Sequence, residues 1–200
     1  MDESGDNKDK EMTLENIAEK KADRKKLKEI YISSFPAYER MPFFFMLRST
    51  KKHDREFLGI YDDDVLVGFF YVILKNDICL ILYFAIDENK RSSGYGSRAV
   101  GLISKKYENK RIFLYIEETD SKLNNYIQTK RRKDFYVRNG FTVTDYYVIL
   151  SKNKFEILNY EKDISREEYV SILKQMTGGI SVAKVIKKSQ VSAGLNHMHD

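Results

Sequence analysis

Three apolar runs in the middle of the chain leave little freedom in how it can fold. They cover residues 57–61, 65–74 and 78–86, and only Asp62-Asp63-Asp64 and Lys75-Asn76-Asp77 separate them. Runs of this kind, rich in Val, Ile, Phe and Tyr and joined by short Asp/Asn turns, predict an antiparallel meander. After it, a helical period over 94–107 puts Val100, Ile103 and Tyr107 on one face. A strand over 111–117 follows, then a long polar helix over 121–139 with Gly140 as its C-cap. Two more strands over 141–150 and 154–159 precede a closing helix over 165–176, ended by Gly178-Gly179. Ahead of the meander, Asp23 reads as the N-cap of a helix through Leu27, Ile30, Tyr31 and Ser34. That helix stops near Phe35, because Pro36 disfavours helical geometry in the residue before it. Pro42 then opens a short helix carrying Phe43 to Leu47. The alternation over 12–17 fits a first strand but is too short to decide. A meander followed by helix, strand, helix and strand is an α/β chain (α+β mixed sheet) with helices on both faces.

Composition narrows the function classes. With 200 residues and 42% hydrophobic content, the chain suits one domain with its own core. We expect a flexible tail over 1–11, a single domain over 12–176 and a loosely ordered tail over 177–200. Lys+Arg 35 against Asp+Glu 30 gives a net charge of +5. That balance is modest, and much of both signs lies in the N-terminal stretch rather than in one basic patch, so nucleic acid is not the expected partner. The single cysteine, Cys79, sits in Ile78-Cys79-Leu80-Ile81-Leu82. A strand interior is the opposite of the polar, electropositive setting of a reactive thiol, so Cys79 reads as core. The first residues are polar with no apolar region behind them, and no window approaches the roughly 20 apolar residues of a membrane span. The expectation is a soluble, cytoplasmic protein with no membrane partner. No Cys/His spacing points to a metal.

The chemistry is concentrated where the third run ends. Ile86 is followed by a polar turn, and Gly94-Tyr95-Gly96 then opens a helix. Glycines at such a start let a ligand approach the backbone. The first helix amides have no intrahelical partners and sit at the positive end of the dipole, which makes a site for a pyrophosphate. The triplet Gly-Lys-Ser/Thr of a P-loop is absent, and the third glycine of a dinucleotide fingerprint is replaced by Ala99. What remains is Arg91-x-x-Gly94-x-Gly96. Downstream, Phe135-Tyr136-Val137-Arg138-Asn139-Gly140-Phe141 places a tyrosine about one turn before a helix end, where a phenol serves either as an acid or as a core aromatic.

These two motifs, one strand and one helix apart, resemble the GNAT superfamily of N-acetyltransferases over roughly residues 12–159. The segment Ser33-Ser34-Phe35-Pro36-x-x-Glu39-Arg40-x-Pro42-Phe43 is similar to an N-terminal signature of many bacterial members. The resemblance implies a mostly antiparallel sheet that splays beside the strand ending at Ile86. It implies acetyl-CoA as cofactor, with the pantetheine arm along Phe84, Ala85 and Ile86. The pyrophosphate would lie on the amides of Arg91, Ser92, Ser93, Gly94, Tyr95, Gly96 and Ser97. Tyr136 matches the family tyrosine that returns a proton to the leaving thiolate, and Asn124 or Asn125 matches a cofactor-contacting asparagine.

The implied acceptor is a small-molecule or peptide amine, and a homodimer is compatible with the family. An amine must lose a proton before it attacks, and a carboxylate does this directly or through water. Glu117, ending an apolar strand, is the first candidate and Glu39 the second. Backbone amides near Phe84 and Ile86 would meet the developing oxyanion. Tyr31, Phe35, Tyr38, Glu39 and Tyr83 are expected acceptor-wall residues, and their acidic and aromatic character suits a cationic amine. Two rival readings remain: an acyl-CoA-binding sensor or structural subunit without turnover, and a nucleic-acid module resting on Lys130-Arg131-Arg132-Lys133, a run that otherwise reads as a solvated helix face.

Overall fold

The computed structural model describes residues 12–17, 20–178 and 183–190. The elements run β1 (Met12–Asn16), α1 (Arg24–Ser34), α2 (Phe43–Ser49), β2 (Arg55–Asp62), β3 (Val65–Lys75), β4 (Ile78–Ile86), α3 (Tyr95–Lys106), β5 (Arg111–Glu117), α4 (Tyr126–Arg138), β6 (Phe141–Leu150), β7 (Asn153–Tyr160), α5 (Arg166–Met176) and β8 (Ala183–Lys187). The strands form an open sheet in the order β1-β2-β3-β4-β5-β7-β6-β8. The expected mixed, mostly antiparallel sheet is present. β4 and β5, joined through α3, are parallel, whereas β1–β2, β5–β7, β6–β7 and β6–β8 are antiparallel.

The meander forms as its turn chemistry dictates. Asp63 (φ 53°) and Asn76 (φ 52°) take the left-handed conformation at the two tight turns, where Asp and Asn are tolerated better than other side chains. β3 is buried from Leu66 to Ile73, as expected of a strand covered on both faces.

The chain clusters into two compact units. The first is Met1–Tyr71 with Tyr83–Lys106; the second is Val72–Leu82 with Tyr107–Asp200. The core of the first is aromatic: Phe57 meets Phe69 and Tyr71 with centroids at 5.4 Å in both pairs, and Leu27, Ile30 and Met46 are buried with them. In the second, Phe113 packs on Tyr169 at 5.0 Å beside buried Ile157, Leu158 and Ile172.

Three expectations differ from the structure. The polar helix begins at Tyr126 rather than 121, because Asp120 turns the chain first. Its side chain accepts from Lys122 N–H (2.9 Å), and its carbonyl accepts from Leu123 N–H (3.1 Å), a local competition that delays helix formation. Asp23 precedes α1 but makes no side-chain cap; its carboxylate accepts from the Tyr61 hydroxyl at 2.8 Å instead. Residues 183–187, expected within a loosely ordered tail, form β8, which pairs with β6 from Tyr146↔Lys187 to Leu150↔Ala183 and buries Val185. The sequence Ala-Lys-Val-Ile-Lys is too short to announce a strand, and the edge of β6 makes it one. The 1–11 tail, Gly179 and residues 191–200 lie outside the described residues.

Arg111 ties the start of β5 to the β3–β4 turn and to α5. It meets Asp77 (2.7 and 3.1 Å) and Glu168 (2.5 and 3.0 Å), and Glu168 also closes a capping box with Ser165. The guanidinium and the Ser165 donors hold the Glu168 carboxyl down at about 2, against an ordinary 4.5. A lowered folded-state value means stability that is present above the unfolded value and lost as pH falls toward the folded one. The melting-temperature gap between wild type and Glu168→Gln is therefore expected to narrow as pH drops from 4.5 to about 2; a gap that does not change with pH contradicts the pairing.

Candidate active site

Beyond β4 the chain enters a loop rich in serine and glycine. Beyond Ile86, Asp87 N–H donates to the Val67 carbonyl (2.8 Å), keeping the strand direction one residue longer. The buried Asp87 carboxylate then accepts from Asn89 N–H (3.1 Å) and Asn89 Nδ2 (3.2 Å) and pairs with Lys26 Nζ at 2.6 Å. Burial pushes this carboxyl up, but the Lys26 ammonium and the Asn89 donors outweigh it, and its pKa is lowered. A single 3-10 turn over Glu88–Lys90 leads to Arg91. Ser92 (φ 65°) and Gly94 (φ 80°) both lie in the left-handed region, and such turns gather successive N–H groups into a concave anion seat. At Gly94 an added Cβ would meet nothing within 4 Å, so glycine is needed there for its backbone angle and not for space.

α3 starts immediately after. Its Arg98 N–H bonds the Gly94 carbonyl (3.2 Å), so the amides of Tyr95, Gly96 and Ser97 precede the first intrahelical donor and have no acceptor within the helix. No acidic residue occupies the first turn of α3; from outside the helix, Asp62 accepts from the Tyr95 hydroxyl (2.6 Å) and pairs with Arg98 (3.7 Å). Amides, the exposed Ser92, Ser93 and Ser97, and an absence of acidic groups in that turn form a donor set that fits a diphosphate. The Arg91 side chain is used differently: Nε donates to the Ile86 carbonyl (3.2 Å) and Nη2 to Ser34 Oγ (3.1 Å). It braces the loop from behind.

β4 carries the chain to this loop. Its parallel register with β5 runs from Ile78↔Arg111 to Leu80↔Phe113, while β4 itself continues to Ile86. Phe84 stacks on Phe70 at 4.3 Å, and Ala85 and Ile86 are buried. Gly68 of β3, which sequence reasoning passed over, sets this spacing. A Cβ there would stand 2.5 Å from the Ala85 carbonyl oxygen and 2.8 Å from Ile86 Cδ1. The available signal was a lone glycine inside an apolar strand, which marks close backbone approach.

Among the expected acceptor-wall residues, Tyr31, Phe35 and Tyr83 form one aromatic cluster, with Tyr31–Tyr83 at 5.2 Å and Phe35–Tyr83 at 4.9 Å. Tyr31 (1% exposed) and Tyr83 (7%) are buried, whereas Tyr38 is 69% exposed. Glu39 is partly buried, and its carbonyl accepts from the Tyr83 hydroxyl at 2.7 Å.

In the second unit, Tyr136 is 8% exposed and packs against Phe135 (5.2 Å) and Phe141 (5.4 Å). Burial raises its phenol to about 12, with the Arg132 charge pulling the other way. Its hydroxyl has no hydrogen-bond partner among the described residues. The Glu117 carboxylate faces Arg132 Nη1 at 3.3 Å, and the charge of Arg132 also acts on the Tyr136 phenol. Asn124 is exposed; Asn125 stands at the N-cap of α4, its carbonyl accepting from Thr129 N–H at 3.0 Å.

The basic run on α4 is largely engaged. Lys130 pairs with Asp134 (2.6 Å), Arg132 with Glu117, and Lys133 with Glu156 (2.8 Å), whose buried carboxylate also meets Lys188 (3.2 Å). Charges satisfied in this way are poorly placed for phosphate contacts. Among the described residues, no His/Cys/Asp/Glu group is arranged to hold a metal, and no helix is long and apolar enough to cross a membrane.

Comparison with known proteins bears on the whole arrangement. A family model described as the acetyltransferase (GNAT) family matches residues 24–141. No curated protein sequence matches the chain. Among solved structures, a protein described as a GNAT-family acetyltransferase from Bacteroides thetaiotaomicron superposes with a TM-score of 0.70 at 22% identity, over 84% of this chain and 99% of that one. An aminoglycoside 6'-N-acetyltransferase complexed with coenzyme A gives 0.58 at 13%, over 76% and 99%. The ribosomal-protein-S18-alanine N-acetyltransferase from Escherichia coli gives 0.57 at 10%, over 78% and 96%. At these identities the likeness is one of fold.

Proposed function

Because the chain belongs to the GNAT family of acetyltransferases, we propose that it moves an acetyl group from acetyl-coenzyme A to a primary amine by direct attack within a ternary complex. The observation that carries this reading is the start of α3: left-handed Ser92 and Gly94, helix amides ahead of the first intrahelical donor, and no acid in the first turn. When bound, acetyl-coenzyme A supplies the acetyl group in activated, thioester form. The amides of residues 91–97 hold its diphosphate, and the edge of β4 at Phe84, Ala85 and Ile86 takes its extended arm. Arg91 acts through its backbone there, since its side chain is committed to Ile86 and Ser34. Asn124 or Asn125 adds a further polar contact. Backbone N–H groups near Phe84 and Ile86 are offered to the oxyanion that the attack develops.

On the acceptor side, Glu117 or Glu39 takes the amine proton, directly or through water. Tyr136, whose phenol keeps its proton through neutral pH, donates one to the leaving group. Tyr38 and Phe35, with Glu39 between α1 and α2, favour a cationic acceptor.

A second reading has one observation behind it. Glu117 is paired with Arg132, which suits an acyl-coenzyme A-binding domain that does not turn over. One experiment separates the two: calorimetric titration with coenzyme A, followed by thiol release from acetyl-coenzyme A across polyamines, aminoglycosides, amino acids and peptide N-termini. Binding together with amine-dependent thiol release is expected. Binding without release for any amine supports the sensor, and no heat with either form of the coenzyme removes both.

A further inference from the structure

The segment over residues 35–42 joins α1 to α2. Within it, Glu39 N–H reaches the Pro36 carbonyl (3.0 Å) and Arg40 N–H the Ala37 carbonyl (3.3 Å), and Pro36, Ala37 and Tyr38 are exposed. Side chains of α1 and β4 bond to it, and the loop that follows β4 bonds to the residue just before it. At its start, Arg91 Nη2 donates to Ser34 Oγ, on the last residue of α1, while Arg91 Nε holds the carbonyl of the last residue of β4. Near its end, the Tyr83 hydroxyl donates to the Glu39 carbonyl (2.7 Å) and accepts from Met41 N–H (3.1 Å). The Tyr31 hydroxyl donates to the Met41 carbonyl (3.0 Å), so Met41 is held through both of its backbone polar groups.

We propose that Tyr83 and Arg91 are positioning residues that couple occupancy of the phosphate loop to the order of the 35–42 segment, so that coenzyme binding prepares the acceptor side. This rests on the cofactor reading above. An anion spanning the amides of residues 92–97 fixes the backbone of that loop, and Arg91 with it. A chain lying along the last residues of β4 fixes the backbone from which Tyr83 projects. Tyr83 bonds the segment directly near its end, and Arg91 bonds Ser34, the residue just before its start. Coupling of this kind is reciprocal: whatever orders the segment also tightens the coenzyme.

Hydrogen exchange of the full chain, with and without saturating coenzyme A, tests the proposal. In wild type, the coenzyme is expected to slow exchange both at residues 92–97 and at residues 35–42. Tyr83→Phe keeps the ring and removes the bridging hydroxyl; Ser34→Ala removes the acceptor for Arg91 at a partly exposed position and leaves the core untouched. In both, protection at residues 92–97 is expected to persist, while the coenzyme-induced protection at residues 35–42 falls by about threefold or more, the size of one hydrogen bond. Protection at residues 92–97 with none at residues 35–42 in wild type overturns the coupling alone. So does wild-type protection of residues 35–42 in both variants. No coenzyme effect at residues 92–97 overturns the cofactor reading itself, and the coupling with it.

Discussion

Tyr136→Phe is expected to lower turnover by about 10²- to 10⁴-fold, the range for loss of a positioned general acid, while coenzyme A affinity stays near that of wild type. The substitution removes one oxygen and leaves the ring against Phe135 and Phe141. Because the hydroxyl has no hydrogen-bond partner among the described residues, its removal strands no buried group, and stability is expected to stay within about 1 kcal/mol of wild type. The direction of the pKa adds a second check. Burial raises the phenol to about 12, so the proton is retained across the neutral range and any alkaline loss of activity below pH 10 must come from another group. Steady-state rates with an accepting amine, alongside calorimetry and thermal melting, distinguish the outcomes. A variant as active as wild type would remove Tyr136 from the mechanism.

Gly68→Ala is expected to destabilise the fold and weaken coenzyme binding together. The added Cβ would stand 2.5 Å from the Ala85 carbonyl oxygen, 2.8 Å from Ile86 Cδ1 and 3.2 Å from Ile60 Cδ1. The nearest of these is backbone, which cannot rotate away, so β3 and β4 must part where β4 ends. Overpacking of this kind costs about 1–3 kcal/mol. The adjacent bond from Asp87 N–H to the Val67 carbonyl carries the displacement into the phosphate loop, which links packing in the core to ligand affinity. Gly101→Ala is the matched control: an added Cβ there meets nothing within 4 Å, and alanine within α3 is expected to stabilise by about 0.5–1 kcal/mol. Denaturant melts with calorimetry on both variants settle the matter, and Gly68→Ala as stable as wild type would contradict the close approach of the two strands.

Much of the fold was legible because it depends on local backbone geometry. The Asp/Asn turns announced the meander for that reason. Gly94 was read as a glycine that lets a ligand approach the backbone, whereas in the structure it is its φ of 80° that calls for glycine. What could not be read concerns partners distant in the chain. Arg91 was taken with the phosphate loop, yet its guanidinium reaches Ser34, 57 residues away. Tyr31 and Tyr83 were taken as acceptor-wall residues, and the structure buries them with their hydroxyls on the backbone of Glu39 and Met41. Glu117 ends its strand as expected, but its pairing with Arg132 depends on how α4 packs beside β5.

The order of strands and helices, the turns between them and the position of the glycine loop were therefore set by the sequence alone, since hydrophobic period and local backbone preference act over a few residues. Which side chains brace that loop, how close β3 comes to β4 at Gly68 and whether residues 183–187 become a strand were decided only by tertiary structure. Those outcomes depend on a hydrogen-bond acceptor, a backbone carbonyl or an open strand edge contributed by another element, and no local pattern carries that information.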